Sequence, residues 1–158
     1  MAKFLIVPTI TDEEPITARL GASNAKLADA DKGKFVKLTA ESEFDLCAAG
    51  DDLEGYVLSV NAAPQDGFAI GSIARDGNFS VTLDGAQATP GTGNIAVGDY
   101  VVCGTVVARG TKLTAPPKVC KATDQTAAKA SPYACRVLSI GGATTGTPGT
   151  VAVVEYQG

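Results

Sequence analysis

The chain has 158 residues and no histidine, which excludes Ser-His-Asp and Cys-His catalysis and every metal site built on imidazole. Its formal net charge is −4, with no cluster of basic residues, which argues against direct nucleic-acid binding. Apolar residues make up 45% of the chain, enough for a sizeable core, and 18 glycines and 8 prolines favour short strands joined by tight turns.

An extended N-terminal arm is predicted over residues 1–26. Pro8 and Pro15 keep its beginning out of the centre of a sheet. Its apolar side chains would leave a solvated tail prone to aggregation, so we expect them to contact another subunit. The candidate inter-subunit contacts are Phe4, Leu5, Ile6, Val7 and Ile10. The alternative is that the arm adds an edge strand to its own domain. The start of the chain does not fit a signal peptide, which predicts synthesis in the cytoplasm without export.

Strands are predicted from Gly33 onward, because apolar and polar residues alternate between turn signals. Asp76-Gly77 is a hairpin signal between two of these strands. Residues 86–94 are small, polar and rich in turn formers, which predicts a connector between two halves. The last strand, 150–156, is apolar on both faces, which predicts a central position in its sheet.

Similar short segments recur in the same order in the two halves of the chain, and we call this recurrence the sequence echo. The matching segments are 33–38 with 98–103, 46–49 with 119–122, 57–60 with 137–140, and 79–83 with 150–154. This echo predicts an all-β fold, a barrel or sandwich with a jelly roll as one form, built from two similar β units. The predicted domains are the arm, 1–26, and a single domain, 27–158, with pseudo-repeated halves at 27–85 and 95–158. The alternative is that short apolar runs look alike in any β protein.

The four cysteines are widely spaced and include no C-x-x-C pair, which disfavours a zinc site. Without an export signal, we expect all four to be thiols, with at least Cys47 and Cys120 buried. One disulfide within Cys103, Cys120 and Cys135 is the alternative.

Two short motifs resemble ligand sites but lack the required context. The string 29–33 begins like a calcium loop, yet Gly33 and Ala40 stand where the pattern needs ligands, which predicts a solvated turn. The string 91–96 fits G-x-G-x-x-A, but no helix pattern follows it, as a dinucleotide site requires. The sequence therefore predicts no metal and no cofactor.

Acidic residues recur along one strand and the loop after it. They are Glu41, Glu43, Asp45, Asp51, Asp52 and Glu54. A pair of such carboxylates suits glycoside hydrolysis, but a sugar groove needs aromatic walls, and the chain has no tryptophan. A solvated acidic edge is the favoured interpretation, and an enzyme with an acidic dyad remains an alternative.

Three segments of the sequence carry a resemblance to a known family. They are the extended N-terminal segment, 2–16, and the strand openings Gly-Lys-Phe-Val-Lys-Leu (33–38) and Gly-Asp-Tyr-Val-Val-Cys (98–103). Together they resemble segments of tailed-bacteriophage capsid decoration, or cement, proteins. The resemblance covers residues 27–158. It implies a structural protein of the virion, not an enzyme, that binds the outer surface of the icosahedral head. There it would stabilise contacts between major capsid subunits after synthesis in the host cytoplasm.

The partners that we expect are the major capsid protein and further copies of the chain, as a dimer or trimer, with no nucleic acid and no membrane. The alternative function is a receptor- or carbohydrate-binding β domain of a phage tail fibre or spike. Such a domain needs exposed aromatic residues clustered in loops, for which Phe68 and Tyr133 are the candidates.

Overall fold

The computed structural model describes residues 16–22, 24–40, 43–62 and 67–157. These residues form an almost entirely β structure, which confirms the predicted all-β class. The strands belong to two units that follow one another along the chain.

The first unit is a closed barrel of five strands. They are β1 (Ile16–Leu20), β2 (Phe35–Ala40), β3 (Glu43–Leu46), β4 (Gly55–Asn61) and β5 (Ile70–Ala74). Their order around the barrel is β1-β3-β2-β4-β5, and a turn of 3-10 helix, Asp29–Asp31, precedes β2. β1 pairs in parallel with β3, and every other pair of neighbours is antiparallel.

Alternation along these strands produces the core of the first barrel. Val36, Val57 and Ile73 are fully buried at its centre, together with Leu20 and Phe44. Burying a side chain of this size contributes about 1.5–3 kcal/mol. The period-two pattern of the sequence therefore sets which face of each strand points inward.

The second unit contains the remaining strands and one α-helix. They are β6 (Asn78–Ala86), β7 (Thr89–Pro90), β8 (Ile95–Ala96), β9 (Val101–Cys103), β10 (Lys118–Lys121), α1 (Gln125–Ala130), β11 (Cys135–Ser139), β12 (Thr145–Gly146) and β13 (Val151–Tyr156). The main sheet has the order β11-β13-β6-β10-β9, β7 pairs with β6, and β8 pairs with β12. The edge strands of the main sheet meet at a bridge between Tyr100 and Arg136, so we call this unit the second barrel. β13 lies between two partners, as predicted from its apolar faces.

Both barrels have the same order of strand pairing. β6, β9, β10, β11 and β13 take the places of β1, β2, β3, β4 and β5, including one parallel pair, β6 with β10. The two barrels also share equivalent hydrogen bonds. Gly33 N donates to Val57 O at 2.9 Å in the first barrel, and Gly98 N donates to Val137 O at 2.8 Å in the second. Gly33 and Gly98 also share positive φ angles of 81° and 91°, which favour glycine.

The sequence echo agrees with this order except in its last pair of segments. Residues 79–83 lie in β6, the counterpart of β1, whereas residues 150–154 lie in β13, the counterpart of β5. That match was wrong because a short apolar string indicates a buried strand but not its place in a sheet.

The limits of the units differ from the predicted arm, 1–26, and from the predicted halves, 27–85 and 95–158. Ile16–Leu20 is a strand of the first barrel, because it pairs with β5 at four positions and with β3 at two. Asn78–Ala86 belongs to the second barrel, where it pairs with β10 and β13.

The connection between the barrels also differs from the prediction. Residues 86–94 form the end of a hairpin within the second barrel, in which Gly91 N donates to Asp84 O at 2.6 Å. The link between the barrels is instead 75–77, so the Asp76-Gly77 turn joins two sheets and is not a hairpin. Turn residues mark a change of chain direction without specifying which strands will pair.

A continuous hydrophobic core joins the two barrels. Phe35 and Tyr56 of the first barrel meet Phe79 and Tyr156 of the second. The ring centroids of Tyr56 and Phe79 are 4.7 Å apart, and those of Phe79 and Tyr156 are 5.4 Å apart, edge to face. Aromatic pairs add about 0.5–1.5 kcal/mol each beyond the burial of their area. The barrels are therefore packed as one body.

Candidate functional site

A cleft of about 130 Å³ lies between the two barrels. Phe35 and Cys47 of the first barrel line it, facing Cys103, Leu113 and Pro116 of the second barrel. An apolar cavity of about 150 Å³ is large enough to bind benzene. The cleft is thus the size of one aromatic ring or one branched aliphatic side chain.

Residues 104–117, which we call the strap, form one side of the cleft. The strap contains no helix or strand, although strands were predicted from Gly33 onward. Its Arg109 guanidinium donates to both carboxylate oxygens of Asp45, at 2.7 and 2.9 Å, and to the carbonyl oxygen of Ala25. Hydrogen bonds between charged partners are roughly twice as strong as those between neutral groups. The strap of the second barrel is therefore fastened to the first barrel.

A buried ion pair fastens the strap at a second point. Lys34 Nζ donates to Asp31 Oδ1 at 2.6 Å and to Ala108 O at 2.8 Å, while the amides of Ala28 and Gly110 donate to the Asp31 carboxylate. Burial acts to raise the pKa of Asp31, but these hydrogen bonds and the ammonium group outweigh it and lower the pKa below 3.8. Asp31 is therefore an ionised carboxylate that holds both barrels.

A similar carboxylate lies at the other end of the strap. Asp84 accepts hydrogen bonds from the amide and the hydroxyl of Thr105, and Lys118 Nζ lies 3.2 Å from its Oδ1. Burial acts to raise the pKa of Asp84, but the Thr105 and Lys118 contacts lower it below 3.8. Asp84, Thr105 and Lys118 thus engage one another beside the cleft, whose lining is mostly apolar.

The acidic residues that suggested a hydrolase dyad take part in separate contacts. The partners are Arg19 for Glu43, Arg109 for Asp45, Lys37 for Asp51, Ser131 for Asp52 and the backbone amide of Leu38 for Glu54. Glu41 lies outside the described residues. These contacts give each described carboxylate a role in holding the fold.

The two ligand-like strings also take part in the fold. Residues 29–33 form the 3-10 turn, and Asp31 turns inward to Lys34. Residues 91–96 lead into β8 and not into a helix. Within the described parts of the chain, no three His, Cys, Asp or Glu side chains are grouped to hold a metal ion. Over the same residues, no helix has the length and apolar character needed to cross a membrane.

The two loop aromatics proposed for sugar binding are each covered by an arginine. The Arg19 guanidinium lies 4.7 Å from the centroid of the Phe68 ring, and that of Arg75 lies 5.4 Å from the centroid of Tyr133. Such cation–π contacts occupy one face of each ring. Less of the aromatic surface is then free to stack on a sugar.

All four cysteines are buried thiols, which confirms the prediction made for them. Burial raises the pKa of Cys120 to about 11 and that of Cys135 to about 12. Cys47 and Cys103 line the cleft, an arrangement that their sequence positions did not indicate.

The candidate inter-subunit contacts of the arm lie outside the described residues. They are Phe4, Leu5, Ile6, Val7 and Ile10. The described residues instead contribute the cleft and the strap, which the sequence interpretation missed. The sequence did contain a signal for the strap, because Val106, Val107 and Leu113 are more apolar than a solvated loop requires.

Comparison with known proteins does not assign the chain to a family. It matches no protein-family model, and no curated protein is similar to it in sequence. The functional argument therefore depends on the fold, the cleft and the contacts described above.

Proposed function

We propose that the chain is a structural protein of a bacteriophage virion that binds the outer surface of the icosahedral head and stabilises contacts between major capsid subunits. The observation that carries the proposal is the packing of two similar barrels into one body through a shared core. The strap and the Asp31–Lys34 pair strengthen that connection.

A body of this kind suits a protein that bridges neighbouring subunits. Two β surfaces held in a fixed relation lose little conformational entropy on binding, so more of the contact energy contributes to affinity. When one surface is bound, the second faces its site at a high effective concentration. Repetition over a symmetric shell then turns modest single contacts into a large total stabilisation.

Charge and the N-terminal segment add support to the proposal. A net charge of −4 suits a basic rim on the capsid surface, and it predicts that binding weakens as salt is added. The apolar residues of the segment, Phe4 to Val7 and Ile10, remain our candidates for contacts with the capsid protein or with other copies. We expect these copies to associate as a dimer or trimer.

The experiment is co-sedimentation of the purified chain with empty heads assembled from the major capsid protein of the phage that encodes it. We expect the chain to pellet with the heads at low salt and to raise the temperature at which they rupture. A variant lacking residues 2–15 should remain folded but bind more weakly. Light scattering of the free protein reports whether it is a dimer or trimer.

The outcome that would contradict the proposal is a folded protein that binds neither immature nor mature heads at low salt. Binding to host cells or to glycans in place of heads would favour the tail-fibre alternative. A map of the intact particle by electron cryomicroscopy would distinguish these two locations directly.

A further inference from the structure

The cleft brings together two cysteines from different barrels. Cys47 directly follows β3 of the first barrel, and Cys103 ends β9 of the second. Both are buried free thiols, and both line the same cleft. The cleft therefore brings together two cysteines that are far apart in the sequence.

Backbone hydrogen bonds fix the two cysteines at the junction between the barrels. Gly50 N donates to Cys103 O at 2.8 Å, and Cys103 N donates to Asp51 O at 2.9 Å, so Cys103 pairs with the loop that follows Cys47. The Cys47 amide is held by Phe35 O at 3.1 Å. Cys103 cannot move away without breaking contacts between the barrels, and Cys47 is held within the first barrel.

Both side chains face the same junction, where the Cys47 thiol donates to Asp52 O at 3.4 Å. The neighbouring Cys103 side chain, together with burial, raises the pKa of Cys47 far above its usual range. A raised pKa lowers the fraction of Cys47 thiolate at neutral pH, so Cys47 reacts slowly with oxidants. The pair is consequently stable as two thiols in a reducing cell and sensitive to prolonged oxidation outside it.

The other two cysteines provide a contrast within the same molecule. Cys120 packs on the outer face of its sheet with Val102, Ala122 and the helix residue Ala128. Cys135 lies in β11, and neither residue lines the cleft. The geometry therefore singles out one pair among the four.

We propose that Cys47 and Cys103 are a modification site, at which a low-molecular-weight disulfide such as oxidised glutathione converts the two thiols into a disulfide that joins the barrels. One cysteine thiolate attacks a sulfur of the reagent and releases a glutathione thiolate, and the other cysteine then attacks the mixed disulfide and releases the second. The new bond joins the two Sγ atoms, both cysteines are oxidised, and one glutathione disulfide becomes two glutathione thiols that take the two protons. This step does not depend on what the protein assembles with.

The test is a thiol count on the full chain before and after incubation with oxidised glutathione in mildly alkaline buffer. Counted after denaturation, the thiols should fall from four to two, and the product should remain a single chain on a non-reducing gel. The unfolding temperature should rise by about 5 °C or more, since the bond closes a long loop in the unfolded chain.

Trypsin identifies the pair, because the four cysteines fall in separate peptides. These are 38–75, 76–109, 119–121 and 130–136. The expected product is a disulfide between the first two peptides, which separates on reduction.

Matched variants complete the design. Cys120→Ser should still lose two thiols on oxidation, whereas Cys47→Ala and Cys103→Ala should each lose at most one, as a mixed disulfide with glutathione. The two alanine variants test the same bond independently, so one of them suffices if the other does not fold. A count that stays at four, a bridge between other peptides or between chains, or loss of two thiols from a folded Cys47→Ala variant would each overturn the proposal.

Discussion

The same backbone position has opposite surroundings in the two barrels. In the first barrel, Phe35 and Tyr56 pair across the contact between β2 and β4, and their rings pack against the second barrel. In the second barrel, Tyr100 and Arg136 pair at the equivalent contact and are only half-buried. We call these contacts the first and second seams.

Different elements protect the two seams. The second barrel covers the first seam, whereas a side chain at the start of the short helix α1 contacts the second. The Gln125 side chain of α1 accepts from Tyr100 N at 2.7 Å and donates to Tyr100 O at 2.8 Å. Repeat proteins end in a modified element because the last repeat has no neighbour to cover it. Helix α1 occupies that terminal position in this pair of barrels.

The largest difference between the barrels should appear in their ion pairs. Asp31→Ala should lower the free energy of unfolding by about 5 kcal/mol, since it leaves the buried Lys34 ammonium without its counterion and two amides without an acceptor. Asp99→Ala removes the partly exposed pair with Lys121 and the acceptor of the Ala96 amide in the second barrel, and should cost about 1–2 kcal/mol. Urea unfolding measures both values.

The pH dependence of stability provides a control for the Asp31 variant. The pKa of Asp31 is lower in the folded protein than in the unfolded chain, so its contribution is complete above about pH 4 and is lost as the pH falls through the folded value. Asp31→Ala should therefore show a weaker loss of stability on acidification than the parent protein. An unchanged acid dependence would mean that Asp31 is not ionised in the folded state.

The two seams should respond very differently to loss of an aromatic ring. Phe35→Ala should cost about 4 kcal/mol, because it opens a cavity in the core shared by the barrels. Tyr100→Ala, at the equivalent position, should cost about 1 kcal/mol, because its ring is not enclosed by another barrel.

Calorimetry of the same two variants also reports on cooperativity. If the shared core couples the barrels, the parent protein unfolds in one transition. Phe35→Ala should then either divide that transition into two or lower its midpoint temperature. Equal costs for the two variants would show that the first seam gains nothing from the second barrel.

The smallest effect concerns the terminal helix. Gln125→Ala should cost about 1 kcal/mol, since it removes two hydrogen bonds to the Tyr100 backbone and one to Ala122 O. Hydrogen exchange should then speed up at the Val137 amide, which crosses the second seam to Asp99 O. The Val57 amide, its counterpart in the first seam, should exchange as before. Equal acceleration at both amides would indicate a global loss of stability.

Local patterns predicted most of the strands, because alternation and turn residues act over a few neighbours. The central position of β13 and the burial of the cysteines followed from apolar faces alone. Helix α1 was missed, although the sequence held a signal in Asp124, whose side chain accepts hydrogen bonds from Thr126 N and Ala127 N.

Long-range contacts account for what the sequence did not predict. The contact of Arg109 with Asp45 joins residues 64 positions apart, and that of Lys34 with Ala108 joins residues 74 apart. Neither appears as a local pattern, so the sequence did not indicate that Lys34 and Arg109 fasten the strap to the first barrel. The cleft depends on these contacts and was missed with them.

The shared aromatic core has a consequence for how the chain is made. A ribosome completes the five strands of the first barrel when residue 74 has been added, but Phe79 comes later and Tyr156 comes after the whole second barrel. The first barrel can close early while Phe35 and Tyr56 still present bare rings to the cell. Partly folded chains with exposed apolar surface associate readily. We therefore expect the nascent protein to be most vulnerable to wrong pairing with its neighbours during synthesis of the second barrel, until β13 brings Tyr156 into place.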